Sequence, residues 1–407
     1  MNQEIWDALI IGGGPGGLAA GIYCGRSKLE TLMLEKGSLG GQVVEYEELE
    51  NYPGFRRGSK GTEVVGSMAE HAKDFGLQIE KEEVIKIELE DNLKVAVTKS
   101  GKKYYAKTVI LALGAKPRFL GAKGEKELTG KGVSYCATCD ASFFEELEVM
   151  VIGNGDKAIE EAMYLTKFAE KVTIVIRRGM TEIGANKVSV EKALANPKIS
   201  WICHSTVEEI KGDGIVETLV LRNLKDGGLS EHTTDGVFVF IGIEPKTSFL
   251  SDLIELDSHG WIVTDDKMET SVEGIYAVGD VRNKYLRQVV TAVSDGAIAA
   301  VAAEKYMEEQ EDFRERVLNS QKPVAVGFWS MDKKESAVVL EEVEKIVNET
   351  EGSVTITKIE VSKKQELASR YDVKEVPTVL FFEKGQVINR LSGSFSMEDV
   401  RSILKNF

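Results

Sequence analysis

The chain has 407 residues, a net charge of −15 (51 Lys and Arg against 66 Asp and Glu) and 43% hydrophobic residues. Its length predicts two to four domains at roughly 100–200 residues each. The acidic balance argues against non-specific binding of nucleic acid or anionic membranes, both of which need positive charge. No apolar run approaches the roughly 18–20 residues of a membrane helix, and four cysteines are far too few for a disulfide scaffold. The 39 glycines beside 7 prolines fit an α/β nucleotide-binding protein with tight strand-to-helix turns. The opening MNQEIWDALIIGGGPGG has no basic leader or cleavage signature, so a cytoplasmic location is expected.

In chain order, residues 5–11 form a continuous apolar run, the pattern of a strand buried on both faces. A glycine turn, an apolar helix through Leu18, Ala19, Ile22 and Tyr23, and a strand over 31–34 ending at Glu35 complete one βαβ unit. A second unit starts at Glu148, with a strand at 149–152, a turn at 153–156, a helix to about Phe168 and a strand at 172–176. Segments 94–98 and 236–240 read as antiparallel strands around these units. The charge-dense stretch 304–320 reads as a helix end running into a solvated linker. Beyond it lie strands at 324–328, 354–360 and 379–383, helices near 337–348 and 364–371, a hairpin turn at 384–386 and a last helix at 397–405. That is a separate small α/β domain.

The first turn, Gly12-Gly13-Gly14-Pro15-Gly16-Gly17, has the dinucleotide spacing. Gly12 allows the tight turn, Gly14 lets the backbone approach a pyrophosphate, and Gly17 lets helix and strand pack closely. The helix N-terminus offers N–H groups to phosphate, and Glu35 is placed for a ribose hydroxyl. Further on, Gly279-Asp280 ends an apolar strand and can set a carboxylate near a ribityl chain. The second turn, Gly153-Asn154-Gly155-Asp156-Lys157-Ala158, is a GxGxxA. It reads either as a nicotinamide-nucleotide site or as a degenerate unit kept as scaffold. Cys136-Ala137-Thr138-Cys139 is the candidate redox centre, since a CxxC can close a small disulfide ring and one thiol can be held as thiolate. Half a zinc site and two structural thiols are the competing readings. With no second CxxC and with His71, His204, His232 and His259 scattered, zinc is disfavoured. Cys24 and Cys203 read as core fillers, and the histidines as structural.

Together GGGPGGLAA, GGQ at 40–42, NYPG at 51–54, CATCD at 136–140, FVFIGIEP at 238–245, Gly279-Asp280 and Arg287-Gln288 resemble the low-molecular-weight flavoprotein thioredoxin reductases over residues 4–312. The resemblance implies an α/β fold of two Rossmann-like three-layer dinucleotide-binding domains, the second inserted in the first. An FAD domain would span 1–117 and 245–312, and a pyridine-nucleotide domain 118–244. It implies FAD contacts at Gly12, Gly14, Pro15, Gly16, Gly17, Glu35, Gly40, Gly41, Gln42, Asn51, Gly114, Gly279, Asp280, Arg287, Gln288 and Val289. Nicotinamide contacts would be Gly153, Gly155, Asp156, Ala158, Arg177 and Arg178. Cys139 would face the flavin, Cys136 would attack the substrate disulfide, and Asp140 would be the acid/base. It further implies a homodimer, alternating rotation of the two domains, and thioredoxin as partner.

Two departures stand out. Where NADPH-dependent members carry His-Arg-Arg-x-x-x-Arg, this chain has Ile176-Arg177-Arg178-Gly179-Met180-Thr181-Glu182. A glutamate repels a 2′-phosphate that an arginine fork would hold, so NADPH, NADH and a reduced ferredoxin all remain candidate donors. Second, 321–407 after a 313–320 linker resembles thioredoxin, with Pro377 as its cis proline, but Lys333-Lys334-Glu335-Ser336 replaces the Cys-Gly-Pro-Cys site and Gly327 replaces the buried acid. This domain is expected to be redox-inactive. Its lysines and Glu335 read as a solvated loop, with a docking or oligomerisation surface as the sharper alternative.

Overall fold

The computed structural model describes all residues except 1–3, 46–48, 50 and 57. Residues 1–3, part of the segment read above for a leader, therefore lie outside the described residues. The chain divides into two compact units, Met1–Ser271 with Ile275–Val301, and Val272–Gly274 with Ala302–Phe407.

The first unit begins with β1 (Ile5–Ile11), α1 (Pro15–Arg26), β2 (Thr31–Leu34), α2 (Gly61–Asp74), β3 (Gln78–Glu80), β4 (Val84–Glu90), β5 (Leu93–Thr98) and β6 (Lys103–Leu111). The sheet order is β3-β2-β1-β6-β5-β4. β1 pairs in parallel with β2 and β6, while β4, β5 and β6 are antiparallel. β1, apolar but for Asp7, is buried at Trp6 and from Ala8 to Ile11, as a strand covered on both faces should be.

The chain then crosses through β7 (Ala115–Pro117), reaches β8 (Val133–Ser134) and the short helix α3 (Ala137–Asp140), and builds a second βαβ unit: β9 (Glu148–Ile152), α4 (Asp156–Leu165), β10 (Lys171–Val175), α5 (Lys187–Ala195) and β11 (Ile199–Ile202). β12 (Ser205–Lys211), β13 (Thr218–Asn223) and β14 (Leu229–Thr233) form their own antiparallel sheet. β15 (Gly236–Val239) returns to give the order β11-β10-β9-β15-β8. β15 is parallel to β9 and β8, not antiparallel as its sequence suggested. All four of its residues are buried, so no period-2 alternation marked its direction. β16 (Ile243–Pro245) pairs antiparallel with β7, and β17 (Ile275–Ala277) rejoins the first sheet beside β6.

α6 (Val289–Phe313) continues into a π-helical turn at Arg314–Leu318. The expected solvated linker at 313–320 is therefore mostly helical. Phe313 and Val317, four residues apart, share one helix face. Val317 is 1% exposed in a core with Val326, Phe328 and Phe382, and the Phe313 ring packs tilted against Tyr371 and edge-on to Phe382.

The second unit holds β18 (Val324–Trp329), α7 (Lys334–Asn348), β19 (Thr355–Glu360), α8 (Gln365–Arg370), β20 (Thr378–Glu383), β21 (Gln386–Ser392) and α9 (Met397–Leu404), with sheet order β19-β18-β20-β21. The Val376–Pro377 bond is cis. Lys334 and Glu335 form the first turn of α7 rather than a loop, and Ser336 is buried, its hydroxyl accepting from the Ser330 N–H. A side chain at Gly327 would meet Leu340 at 2.8 Å. Leucine thus fills the space where a buried acid would stand.

Candidate active site

The first glycine turn is shaped by contact rather than by flexibility. Gly12 has φ +107°, and a Cβ there would lie 2.3 Å from the Ala112 carbonyl. A Cβ on Gly17 would lie 2.1 Å from the Gly12 carbonyl, so α1 packs directly on the end of β1. A Cβ on Gly14 would meet nothing within 4 Å, which leaves open space beside the N-terminus of α1. Glu35, just after β2, accepts from Gly13 and Gly37 N–H, each at 2.7 Å. Gly40 donates to the Gly13 carbonyl at 2.7 Å, Gly41 lies against Gly14, and Gln42 donates to the Ala115 carbonyl.

The second half of this cradle comes from far along the chain, at residues 278–292. Gly279 and Asp280 follow β17, and Gly16 packs against Val278 and Ala292. Asp280 Oδ1 is shielded from solvent and has no hydrogen-bond partner, and burial raises its pKa. An orphaned buried carboxylate oxygen beside an open phosphate loop fits a ligand carrying hydroxyls, as FAD does. Arg287 donates to the carbonyls of Asp280 and Arg282, and its guanidinium stacks 3.9 Å from the Trp261 ring centroid. Asp295, on α6, was not read from the sequence. Its carboxylate accepts from Gly279 N–H (2.9 Å) and Lys284 Nζ (2.7 Å) and pairs with Arg282 (3.0 Å), all nearly buried. It fixes the strand end that presents Asp280.

Cys136 and Cys139 form a disulfide. Gln288, placed just before α6 in the cradle, reaches this pair: its Nε2 lies 3.7 Å from Cys136 Sγ and donates to Thr138 Oγ1 at 3.3 Å. Its Oε1 lies 3.8 Å from Cys139 Sγ and accepts from Asn51 Nδ2 at 2.9 Å. Sequence positions 51, 136–139 and 288 thus converge. Asp140 receives the Ser134 hydroxyl at 2.6 Å. Its pKa is pushed up to about 6 by burial, against the smaller opposing pull of Ser134. The carboxyl can therefore carry a proton near neutral pH and give it to a thiolate formed at the redox turn. Ser134 was not legible as its partner.

The second glycine turn forms a separate cradle. Gly153 would clash with the Phe240 carbonyl if it carried a Cβ, Gly155 faces open space, and Ala158 is fully buried. The Gly184 and Asn186 N–H groups donate to the Asn154 carbonyl and to Asp156 Oδ1, tying the 179–186 segment to the turn. Arg177 and Arg178 follow β10 and are exposed. The imidazole of His204 packs 3.2–3.3 Å from the Cβ position of Gly179, beside the arginines, where sequence spacing gave no hint of it. Of the remaining cysteines, Cys24 is fully buried and Cys203 packs half-buried on the domain core. Among the described residues no metal-holding cluster of His, Cys, Asp or Glu is found, and no helix is long and apolar enough to cross a membrane.

A family profile for pyridine nucleotide-disulphide oxidoreductases matches residues 6–296, and one for thioredoxin matches 304–406. The chain is 51% identical over 313 residues to a thioredoxin reductase of Peptoclostridium litorale, covering 75% of this chain and 98% of that protein. It is 35% identical over 435 residues to a bifunctional thioredoxin reductase/thioredoxin of Mycobacterium leprae, covering 97% and 94%. The crystal structure of thioredoxin reductase from Streptococcus pyogenes matches with a TM-score of 0.72 at 45% identity, over 75% of this chain and 99% of that one. The chain belongs to the pyridine nucleotide-disulphide oxidoreductases, as a thioredoxin reductase, a flavoprotein of a family that works with FAD and pyridine nucleotides, continued by a C-terminal thioredoxin domain.

Proposed function

We propose that this chain carries electrons from NADPH or NADH through FAD and the Cys136–Cys139 disulfide to a separate thioredoxin-like protein, as a homodimer in the cytoplasm. The observation that carries the reading is the disulfide held against Gln288 with Asp140 behind it. FAD, when bound, would supply the two-electron chemistry between donor and disulfide. The chain's own residues do the rest. Gly12–Gly17, Glu35 and Asp280 bind and orient the cofactor, with Gly40–Gln42, Asn51, Gly114 and Arg287–Val289 completing its site. Cys139 is the flavin-facing sulfur. Cys136 attacks the partner's disulfide, and Asp140 protonates the departing thiolate.

The partner is a different molecule because residues 321–407 contain no cysteine. We place the FAD domain at 1–117 with 245–312 and the nucleotide domain at 118–244. The pairing of β7 with β16, where the chain leaves and returns, supports that division. An intact second cradle at Gly153, Gly155, Asp156 and Ala158 favours a nicotinamide donor. Glu182 in place of an arginine favours the second reading, reduction by a ferredoxin. Anaerobic bleaching of the bound flavin by NADPH, NADH and reduced ferredoxin, each added alone, tests the two. Fast bleaching by a nicotinamide is expected, and bleaching by ferredoxin alone would overturn the first reading.

A further inference from the structure

The redox turn has a second acid behind it that the reaction above does not use. α3 packs on α4 through small residues: Ala137 and Ala141 share a core with Ala158 and Ala162, all at most 2% exposed. Alanines let the two backbones come close. Glu161 stands about one helical turn beyond Ala158 on α4. Its Oε2 is shielded from solvent and has no hydrogen-bond partner. Burial raises the pKa of this carboxyl; Lys157 of the same helix and the backbone N–H groups of Ala137 and Thr138, which face it, oppose the rise, and Glu160 adds to it. Asp140 is the titratable side chain of α3.

We propose that Glu161 is a positioning residue of the redox centre, facing the N–H groups that open the Cys136–Cys139 turn and thereby setting how readily the reduced dithiol gives up its proton. The inference rests on Cys136 and Cys139 as the redox pair and not on the identity of the electron donor. N–H groups at the start of such a turn are the donors a thiolate uses. A carboxylate facing them takes part of that stabilisation and adds a like charge, and both effects raise a thiol's pKa. When two electrons from the flavin enter the disulfide, the S–S bond breaks and two thiolates result. Protons from Asp140 or solvent then convert one or both to thiols. Glu161 moves that balance toward the protonated form, so that the dithiol is less thiolate-rich than the open turn alone would make it.

The test uses the FAD-loaded, full-length protein, reduced anaerobically with dithionite. Alkylation of Cys136 and Cys139 by iodoacetamide is followed by peptide mass mapping from about pH 5 to about pH 9. That range spans the usual thiol pKa near 8.5 and its lowered values. Glu161→Gln keeps an oxygen for the N–H groups and removes the charge. Its alkylation profile should shift about one pH unit to the acid side, making the more reactive thiol about tenfold faster at acid pH. A profile that superimposes on the parent's overturns the inference. If Glu161→Gln fails to retain flavin, Glu161→Asp keeps the charge but withdraws it by one methylene. It should shift the profile the same way by about threefold, and no shift there overturns the inference equally. A disulfide that stays closed when the flavin is reduced would instead overturn the redox-pair assignment.

Discussion

At the residue scale the proposed chemistry turns on Asp140. The folded protein holds its carboxyl at about 6, against an ordinary 3.8, because burial penalises the charge. Between those values the folded state keeps a proton that the unfolded chain has released. Stability from this group is therefore fully present below about pH 4 and is lost as the pH rises through about 6. At ~1.4 kcal/mol per pH unit the loss is on the order of 3 kcal/mol. Asp140→Asn should remove this loss, making the variant more stable than the parent at about pH 8 and nearly equal at about pH 4 in urea denaturation. The same variant should reduce thioredoxin roughly 10²–10⁴-fold more slowly, since it has no proton to give. A variant that gained stability while keeping full turnover would show that Asp140 is not the acid. The resemblance carried by CATCD implied the role of Asp140, but not its raised pKa. The Ser134 hydroxyl and the burial that set the pKa arise from β8 and its neighbours, and local sequence says nothing of dielectric.

At the element scale, the two βαβ units were legible because their signals are local. An apolar strand, a glycine turn and a helix lie within about thirty residues in each, and Gly12, Gly17, Gly153 and Ala158 meet the close contacts their spacing predicts. The direction of β15 was not legible, because four buried residues carry no alternation and the partner strands lie far off in sequence. Nor was the helical 313–318 segment, whose charges hid the Phe313–Val317 stripe. Asp295 was invisible for a similar reason: it meets Gly279 only through folding. The first glycine turn separates two roles cleanly. Gly14→Ala adds a methyl into open space, so stability should change by less than about 0.5 kcal/mol, while flavin retention falls because the methyl occupies the phosphate approach. Gly17→Ala drives a Cβ into the Gly12 carbonyl and should cost about 1–3 kcal/mol of stability as well. Thermal melts of the flavin-free proteins alongside flavin retention check both, and equal destabilisation by the two would contradict the assignment of Gly14.

At the scale of the whole molecule, the chain joins a reductase to a thioredoxin domain that has lost the means to accept electrons. Ser336 replaces a cysteine and is locked into the Ser330 backbone, and Leu340 fills the space over Gly327. The thioredoxin fold itself was legible from Pro377 and the 384–386 turn, because those features survive where the catalytic residues do not. On the proposed route, electrons leaving Cys136 therefore pass to another protein. The most direct test is the reduction of added thioredoxin by the flavin-loaded Cys136→Ser protein, with the donor that bleaches its flavin. Thioredoxin reduction should fall at least about 10³-fold while flavin reduction persists, because the attacking thiolate is gone and the steps before it are not. Thioredoxin reduction at the parent rate would contradict the account.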